Sequence, residues 1–457
     1  MKNVEDTIAA IATAQGEAAI GIIRLSGNSA FNIVDSFFVS TKKRIHKPSR
    51  KLIHGILQDK NRILDEVLVN YRRGPKSYTG EDMVEIYAHG GTVVLSEILT
   101  LFLTNGARLA EPGEFTFRAF LNGKMDLAQA EAVIDVIQAK NKEALKIAQQ
   151  QLQGKLSKEI LSIKEILVEV LAHTEAAIDF STEDIDVFSS EEMAQKIKKA
   201  ETKTQIILNT YERGKQLQEG IRVAIIGRPN VGKSSLLNAF LNRERAIVTE
   251  EEGTTRDTIE EEFFYQGVGF RFIDTAGIRE AHNKAEKIGI EHSFEKMKTA
   301  DVVLIVIDGS SSLFPQDRVL LDMSFSQKKI VVLNKIDVPQ NTYIEIEVKK
   351  FRYSTLRKVS ALKKEGIKEL LSAIHQEATA QHINSEDVLI TKERHKMALE
   401  NATRYLNDYL EGAKEKRALE FLALDLKSAV NELELILGRV TTEDVYDKIF
   451  SSFCIGK

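Results

Sequence analysis

Two stretches of the chain repeat apolar residues at three- and four-residue steps: Leu156, Ile160, Ile163, Leu167 and Leu171, and, far downstream, Leu422, Leu426, Ala429, Leu433 and Leu437. That spacing gathers each set on one helical face, so two amphipathic helices are predicted, each in need of a partner. The prolines agree. All six stand at positions 48, 75, 112, 229, 315 and 339, which leaves residues 113–228 and everything after Pro339 free of them. Proline lacks an amide donor and clashes with the preceding turn, so long helices belong in those two stretches.

The texture between them differs. RVAIIG (222–227), FRFIDTAG (270–277), DVVLIVIDG (301–309) and KIVVLNKID (329–337) are short β-branched runs ending in Gly, Asp or Asn, with helical stretches between them. They read as the strands of a doubly wound parallel sheet, whose ligands gather at the strands' C-terminal ends. A helical domain split in sequence by an inserted α/β domain of about 160 residues accounts for the pattern. Insertions of that kind succeed at exposed loops whose ends lie close together. Ahead of both, ILQDKNRILDEVLVNYR (56–72) reads as a hairpin turning at Lys60-Asn61, and DMVEIYAHGG (82–91) as a strand followed by a helix. The N-terminal region is therefore predicted to be mixed α+β.

Composition narrows the class. At 457 residues the chain exceeds one compact core, and about two to four domains are expected. An apolar fraction of 43% with 28% charged residues is an ordinary globular balance. The formal net charge of −4 makes the whole molecule no general attractor of nucleic acid, leaving only a local basic patch for that role. One cysteine excludes internal disulfides and cysteine-cluster metal sites, and it suits a reducing cytosol. The N-terminus carries acids where a signal peptide carries bases, and no apolar run reaches the ~18 residues of a membrane span. A cytoplasmic protein with no membrane attachment is expected.

Candidate chemistry lies in the α/β segment. GRPNVGKSS (227–235) follows a predicted strand and opens a predicted helix. Its glycines let backbone N–H groups approach phosphate oxygens, and the helix N-terminus adds favourable partial charge. Across Asn230, Val231, Gly232, Lys233, Ser234 and Ser235, Lys233 is expected to reach the β/γ-phosphates and Ser234 a Mg²⁺. Further on come Thr249, Glu250, Glu251, Glu252, Gly253, Thr254 and Thr255, a switch segment in which Thr255 is a candidate for Mg²⁺ and the γ-phosphate. Asp274, Thr275, Ala276 and Gly277 supply an acid on the metal side and an amide for the γ-phosphate. Asn334, Lys335 and Asp337 choose the base: a carboxylate at Asp337 accepts from N1–H and the 2-amino group of guanine, whereas adenine has a donor at neither position. Ser360 and Ala361 are placed to offer an amide to the guanine carbonyl. Five elements in this order define a Ras-like P-loop GTPase domain. The residue after Gly277 is Ile278, where signalling GTPases carry a water-orienting glutamine. Hydrolysis must use another group: a cation in trans, an acid farther along switch II, or a metal ion, since phosphoryl transfer depends mostly on positioning and charge neutralisation.

Along its whole length the chain resembles the MnmE (TrmE) family of tRNA-modification GTPases. The resemblance rests on SYTGEDMVEIYAHGG (77–91), EPGEFTFRAFLNGKMDLAQAEA (111–132), EAAIDF (175–180), the GTPase motifs and the terminal FCIGK (453–457). It implies a folate-binding and dimerising N-terminal domain at 1–118, a discontinuous helical domain at 119–215 and 379–457, and an inserted GTPase domain at 216–378. It implies K⁺ in place of an arginine finger, held by Asn230, Thr249, Glu251 and Thr254, with Glu286 orienting water. It implies a homodimer that joins the flavoprotein MnmG, which carries FAD, in a heterotetramer acting on tRNA. The joint product is an aminomethyl-type group at C5 of the wobble uridine, built with a tetrahydrofolate one-carbon unit. Folate contacts carried over are Arg24, Glu85, Lys124 and Lys457.

Some features stand apart from these motifs. Thr441-Thr442-Glu443-Asp444 reads as the cap of a short helix leading into the tail, where Phe453 and Ile455 flank Cys454. The tail is expected to reach a folate pocket of its own or a dimer-related N-terminal domain, with Cys454 as nucleophile or positioning group. A buried cysteine packed as a small hydrophobe is the bland alternative. The basic run KKRIHKPSRK (42–51) reads as a solvated loop before it reads as a tRNA contact, and His89 as a turn or cap residue. Two rival functions fit the GTPase motifs alone: an RNA-binding ribosome-assembly GTPase, and a GTP-driven oligomerisation switch without modification chemistry.

Overall fold

The structure, a computed structural model, describes residues 6–14, 16–41, 49–179, 189–241, 261–273, 300–323, 328–379, 388–440 and 443–457. Chain packing separates two compact units, residues 1–137, 150–201 and 398–457, and residues 138–149 and 202–397. The basic run's residues 42–48 lie outside the described residues, and the rest of the run opens a strand.

The first unit begins with a seven-stranded sheet. Its strands are β1 (Ile8–Ile11), β2 (Ala18–Ser26), β3 (Phe38–Ser40), β4 (Ser49–Asp59), β5 (Arg62–Arg72), β6 (Met83–Gly90) and β7 (Arg108–Leu109), in the order β3-β4-β5-β6-β2-β1-β7. Neighbours are antiparallel except β1 and β7. β4 and β5 form the predicted hairpin, with Lys60 at its tip in a left-handed conformation (φ 53°). Inward residues such as Ile23, Leu25, Val69 and Ile86 meet α1 (Ala30–Asp35) and α2 (Thr92–Thr104), whose Ile98 and Phe102 are fully buried. His89 is neither turn nor cap residue. It lies within β6, where Asp65 on β5 holds it twice: its backbone N donates to Asp65 Oδ2 (2.8 Å) and its ring Nδ1 stands 2.7 Å from Asp65 Oδ1.

After α3 (Glu114–Leu121), the helical part of this unit is dominated by α4 (Lys155–Asp179). Its buried Leu156, Ile160, Ile163 and Leu167 are four of the five positions that set the sequence periodicity.

The second unit holds a six-stranded sheet. Its strands are β8 (Ile221–Ile226), β9 (Glu261–Tyr265), β10 (Val268–Ile273), β11 (Val302–Asp308), β12 (Lys328–Asn334) and β13 (Thr355–Lys358), in the order β13-β12-β11-β8-β10-β9. All pairs are parallel except β9 with β10. Side chains alternate across β8: Val223 and Ile225 enter one core with α5 (Lys233–Leu241) and α7 (Ile367–Thr379). Ala224 and Ile226 enter the core on the opposite face, with Leu321 of α6 (Pro315–Asp322). A sheet covered on both faces needs strands apolar throughout, which explains the unbroken β-branched runs. Chain order reverses beside β8, the switch point where ligands of such sheets collect.

The chain returns to the first unit at residue 398, and there α8 (Leu419–Leu437) packs along α4, burying Leu422, Leu426, Ala429 and Leu433. The short α9 (Glu443–Phe450) and the tail follow.

Candidate functional site

A loop of six residues joins β8 to α5, and its backbone is built to surround an anion. Gly232 has φ of 96°, and a Cβ there would stand 2.2 Å from Asn334 Nδ2, so only glycine fits. Lys233 Nζ donates to Gly227 O (2.8 Å) and Arg228 O (3.0 Å), which lays the ammonium within the curve of the loop. Burial pushes that ammonium below the ordinary lysine value, a penalty that a phosphate beside it would offset. Ser234 and Ser235 open α5 and are exposed; Asn230 is exposed at the crest of the loop.

The ends of β11 and β12 complete one side. Asn334 is buried and works as a bracket: its Nδ2 donates to Val231 O (2.8 Å), and its Oδ1 accepts from Ala361 N (3.0 Å). Lys335, in a left-handed conformation, places Nζ 2.7 Å from Asp308 Oδ2. Burial works against ionising Asp308, yet hydrogen bonds from Lys335 and Ser310 hold its carboxyl below the usual carboxylate range. The Ser360 hydroxyl donates to Asp337 Oδ1 (2.6 Å) and holds that carboxyl down as well. The Ser360 amide is engaged by Glu365 O at 3.0 Å. The result is an ionised acceptor at a half-buried edge. Thr249, Glu250, Glu251, Glu252, Gly253, Thr254, Thr255, Asp274, Thr275, Ala276, Gly277 and Glu286 lie outside the described residues.

A second constellation lies in the first unit. Arg24 on β2 pairs in register with Glu85 on β6, Nε and Nη2 standing 3.2 and 2.8 Å from Glu85 Oε1. The guanidinium carbon lies 5.5 Å from the Tyr78 ring centre and 5.6 Å from that of Phe115. Its remaining arm reaches the far end of the chain: Nη1 donates to Gly456 O at 3.2 Å. Phe115 N donates to Lys457 O (3.2 Å) and Gly113 N to Cys454 O (3.5 Å), so the tail crosses the start of α3. Gly456 has φ of 94°, and a Cβ would meet Ile11 O at 2.4 Å. Phe453 anchors the tail by packing on Phe450, ring centres 5.5 Å apart.

Cys454 itself is exposed, which removes the reading of it as a buried hydrophobe. Burial and the nearby Arg24 push the Lys457 ammonium below its ordinary value, with Glu85 opposing them. Lys124 stands apart from this pair: it is exposed, and its Nζ donates to Pro75 O at 2.8 Å, on the loop that also carries Tyr78. Beneath the tail's seat, buried Arg118 bonds Asp6 O (2.8 Å) and Glu114 Oε1 (3.0 Å) and fixes α3 to the start of the sheet. Tyr78 and Phe115 were not singled out from the sequence, although both lie inside its most distinctive segments.

Sheet order, phosphate loop and base-reading bracket together define a P-loop GTP-binding domain, joined here to an α+β domain and a helical domain. Comparison with known proteins is specific. A family model described as "GTP-binding protein TrmE N-terminus" matches residues 7–124, and one described as "MnmE helical domain" matches residues 127–454. The tRNA modification GTPase MnmE of Aquifex aeolicus (strain VF5) is 46% identical over 455 residues, covering 99% of this chain and 100% of the relative. The proteins of that name from Clostridioides difficile (strain 630) and Alkaliphilus metalliredigens (strain QYMF) are 44% and 43% identical, each over 99% of this chain and 100% of their own length. The chain belongs to the MnmE family of tRNA modification GTPases.

Among the described residues, no helix is long and apolar enough to cross a membrane, and no cluster of His, Cys, Asp and Glu is suited to a metal ion.

Proposed function

We propose that this chain is the GTP-hydrolysing component of a complex that, with the flavoprotein MnmG, modifies C5 of the wobble uridine of tRNA using a tetrahydrofolate one-carbon unit. The observation that carries this reading is the C-terminal tail seated over Arg24 and Glu85. A GTPase that served only as a switch has no need of a terminal segment held at an Arg–Glu pair between two aromatic rings. That niche fits a pterin: Glu85 offers acceptors to its amino and ring N–H donors, Arg24 and Lys457 offer donors, and the rings of Tyr78 and Phe115 offer flat surfaces. Tetrahydrofolate supplies the carbon; the chain's own groups bind and orient it. Cys454, exposed beside them, is proposed as nucleophile or positioning group.

For GTP, Lys233 meets the β/γ-phosphates and Asp337 reads the base. Mg²⁺ would be held by Ser234 and Thr255, and K⁺ by Asn230, Thr249, Glu251 and Thr254; both ions would supply charge neutralisation to the phosphates. Glu286 orients water in place of the glutamine that Ile278 replaces. The domain plan proposed is 1–118, 119–215 with 379–457, and 216–378, acting as a homodimer in the cytoplasm. The deciding experiment measures GTP hydrolysis in K⁺ and in Na⁺, with and without the flavoprotein, beside wobble-uridine modification in a deletion strain. K⁺-dependent hydrolysis and unmodified uridine are expected. Normal tRNA with defective ribosomal subunits in that strain would favour the ribosome-assembly alternative and refute this one.

A further inference from the structure

The phosphate loop carries a second basic side chain, Arg228, that takes no part in the contacts described above. Its Nε donates to Asp317 Oδ2 (3.1 Å) and its Nη2 to Ser311 Oγ (2.9 Å). Its guanidinium carbon lies 4.0 Å from the centre of the Phe314 ring. Asp317, in the first turn of α6, has a side chain only 1% exposed. Its Oδ2 also accepts from Phe314 N (3.2 Å), while its Oδ1 has no hydrogen-bond partner among the described residues. A carboxylate so buried needs a compensating charge, and Arg228 is the cation in contact with it. A planar fork with two acceptors and an aromatic face is an arrangement that lysine does not reproduce.

What this clamp holds is the residue two places on. Asn230 has φ of 63°, a left-handed conformation that asparagine adopts more readily than most residues but that still has to be held in place by the loop around it. Pro229, just before it, has its own φ fixed by the ring. Downstream, Val231 is buried and its carbonyl is held by Asn334. Upstream, Lys233 holds the carbonyls of Gly227 and Arg228, and the side chain of Arg228 adds an anchor outside the loop. The loop 308–311 serves both halves of the site, because Ser311 receives Arg228 while Asp308 receives Lys335.

We propose that Arg228 is a positioning residue for GTP hydrolysis: anchored on Asp317, Ser311 and Phe314, it fixes the upstream half of the phosphate loop and holds Asn230 in the left-handed conformation in which that side chain serves the monovalent cation. This rests on the reading of Asn230 as a K⁺ ligand.

The test compares full-chain Arg228→Ala, Arg228→Lys, Asp317→Asn and Asn230→Ala with the parent in steady-state GTPase assays across a K⁺ titration. Affinity for a fluorescent GDP analogue is measured without K⁺. Arg228→Ala should lower kcat about tenfold, since misplacing a group by a fraction of an ångström is costly. It should also raise the K⁺ concentration for half-maximal rate, while GDP affinity and KM stay within roughly threefold because Lys233 and the Asn334 bracket remain. Asp317→Asn should show the same split, and Arg228→Lys should recover part of kcat by reaching one of the two acceptors. Arg228→Ala added to Asn230→Ala should bring little further loss. An unchanged K⁺ response in Arg228→Ala, with the response lost in Asn230→Ala, overturns the proposal and leaves the reading of Asn230 intact. An unchanged K⁺ response in Asn230→Ala overturns that reading and the proposal with it. Equal falls in kcat, GDP affinity and melting temperature, with no recovery in Arg228→Lys, mark a merely structural arginine and also overturn the proposal.

Discussion

Replacing Gly456 by alanine isolates the docked tail. The new Cβ would lie 2.4 Å from Ile11 O, a backbone atom that cannot swing aside, and the residue would have to keep φ of 94°. The left-handed backbone alone costs about 1–2 kcal/mol, and the overlap adds more. The tail has a cheaper way out, which is to undock, so the free energy of docking sets a ceiling on the damage. The Arg24 to Gly456 O bond has a charged donor and contributes about 1.5–3 kcal/mol. The bond from Phe115 N to Lys457 O contributes about 0.5–1.5 kcal/mol. Together they give roughly 2–4.5 kcal/mol, enough to keep the parent's tail docked more than about nine-tenths of the time. Gly456→Ala should therefore lie mostly undocked, with Phe453 still packed on Phe450. Calorimetry on the full chain should show affinity for a tetrahydrofolate derivative weakened at least about tenfold, the equivalent of 1.4 kcal/mol. Wobble-uridine modification should fall with it, while GTP hydrolysis, proposed for the phosphate-loop domain, should not change. Parental folate affinity and full modification in this variant would refute the reasoning.

Asp337→Asn should weaken GTP and favour xanthosine triphosphate, whose 2-oxo group accepts where guanine donates; a competition assay that still prefers GTP would remove Asp337 as the base reader. Gly232→Ala should cost about 1–2 kcal/mol in backbone strain and also displace Asn334 Nδ2, 2.2 Å from the new Cβ. Its nucleotide affinity should fall by more than about tenfold in a fluorescent-nucleotide titration, and parental affinity would show that the bracket yields freely. The hydrogen bond that the His89 ring donates to the Asp65 carboxylate raises the imidazole above its ordinary 6.5. The pair therefore stabilises fully below pH ~6.5 and loses its contribution as pH rises through the raised value. An NMR titration should return the His89 midpoint toward the ordinary value in Asp65→Asn, and an unmoved midpoint would assign the shift elsewhere.

Much of the fold was legible in short-range pattern. Helices α4 and α8 follow the three- and four-residue recurrence of leucine and isoleucine. The hairpin turns at Lys60-Asn61, and β8 ends where Gly227 begins the phosphate loop. These features reside within a few residues of sequence, because helix periodicity, turn conformation and a glycine's freedom are properties of the local backbone. The pairing of α4 with α8 was legible only as a need, two apolar faces without partners.

What only the tertiary structure decided involves residues brought together from far along the chain. The family resemblance grouped Arg24 with Lys457, but nothing near Arg24 announces that its guanidinium bonds Gly456, 432 positions away, or that Tyr78 and Phe115 flank it. Arg228 occupies a variable place in a phosphate-loop pattern, and its meaning comes from Asp317, 89 residues on, buried at the start of a different helix. Cys454 read equally well as a buried hydrophobe or as a functional thiol until the path of the tail left it exposed. Composition and spacing fix which groups a segment can offer. The compact fold fixes which of them lose their water together, and that shared desolvation gives a guanidinium, a carboxylate or an amide its role.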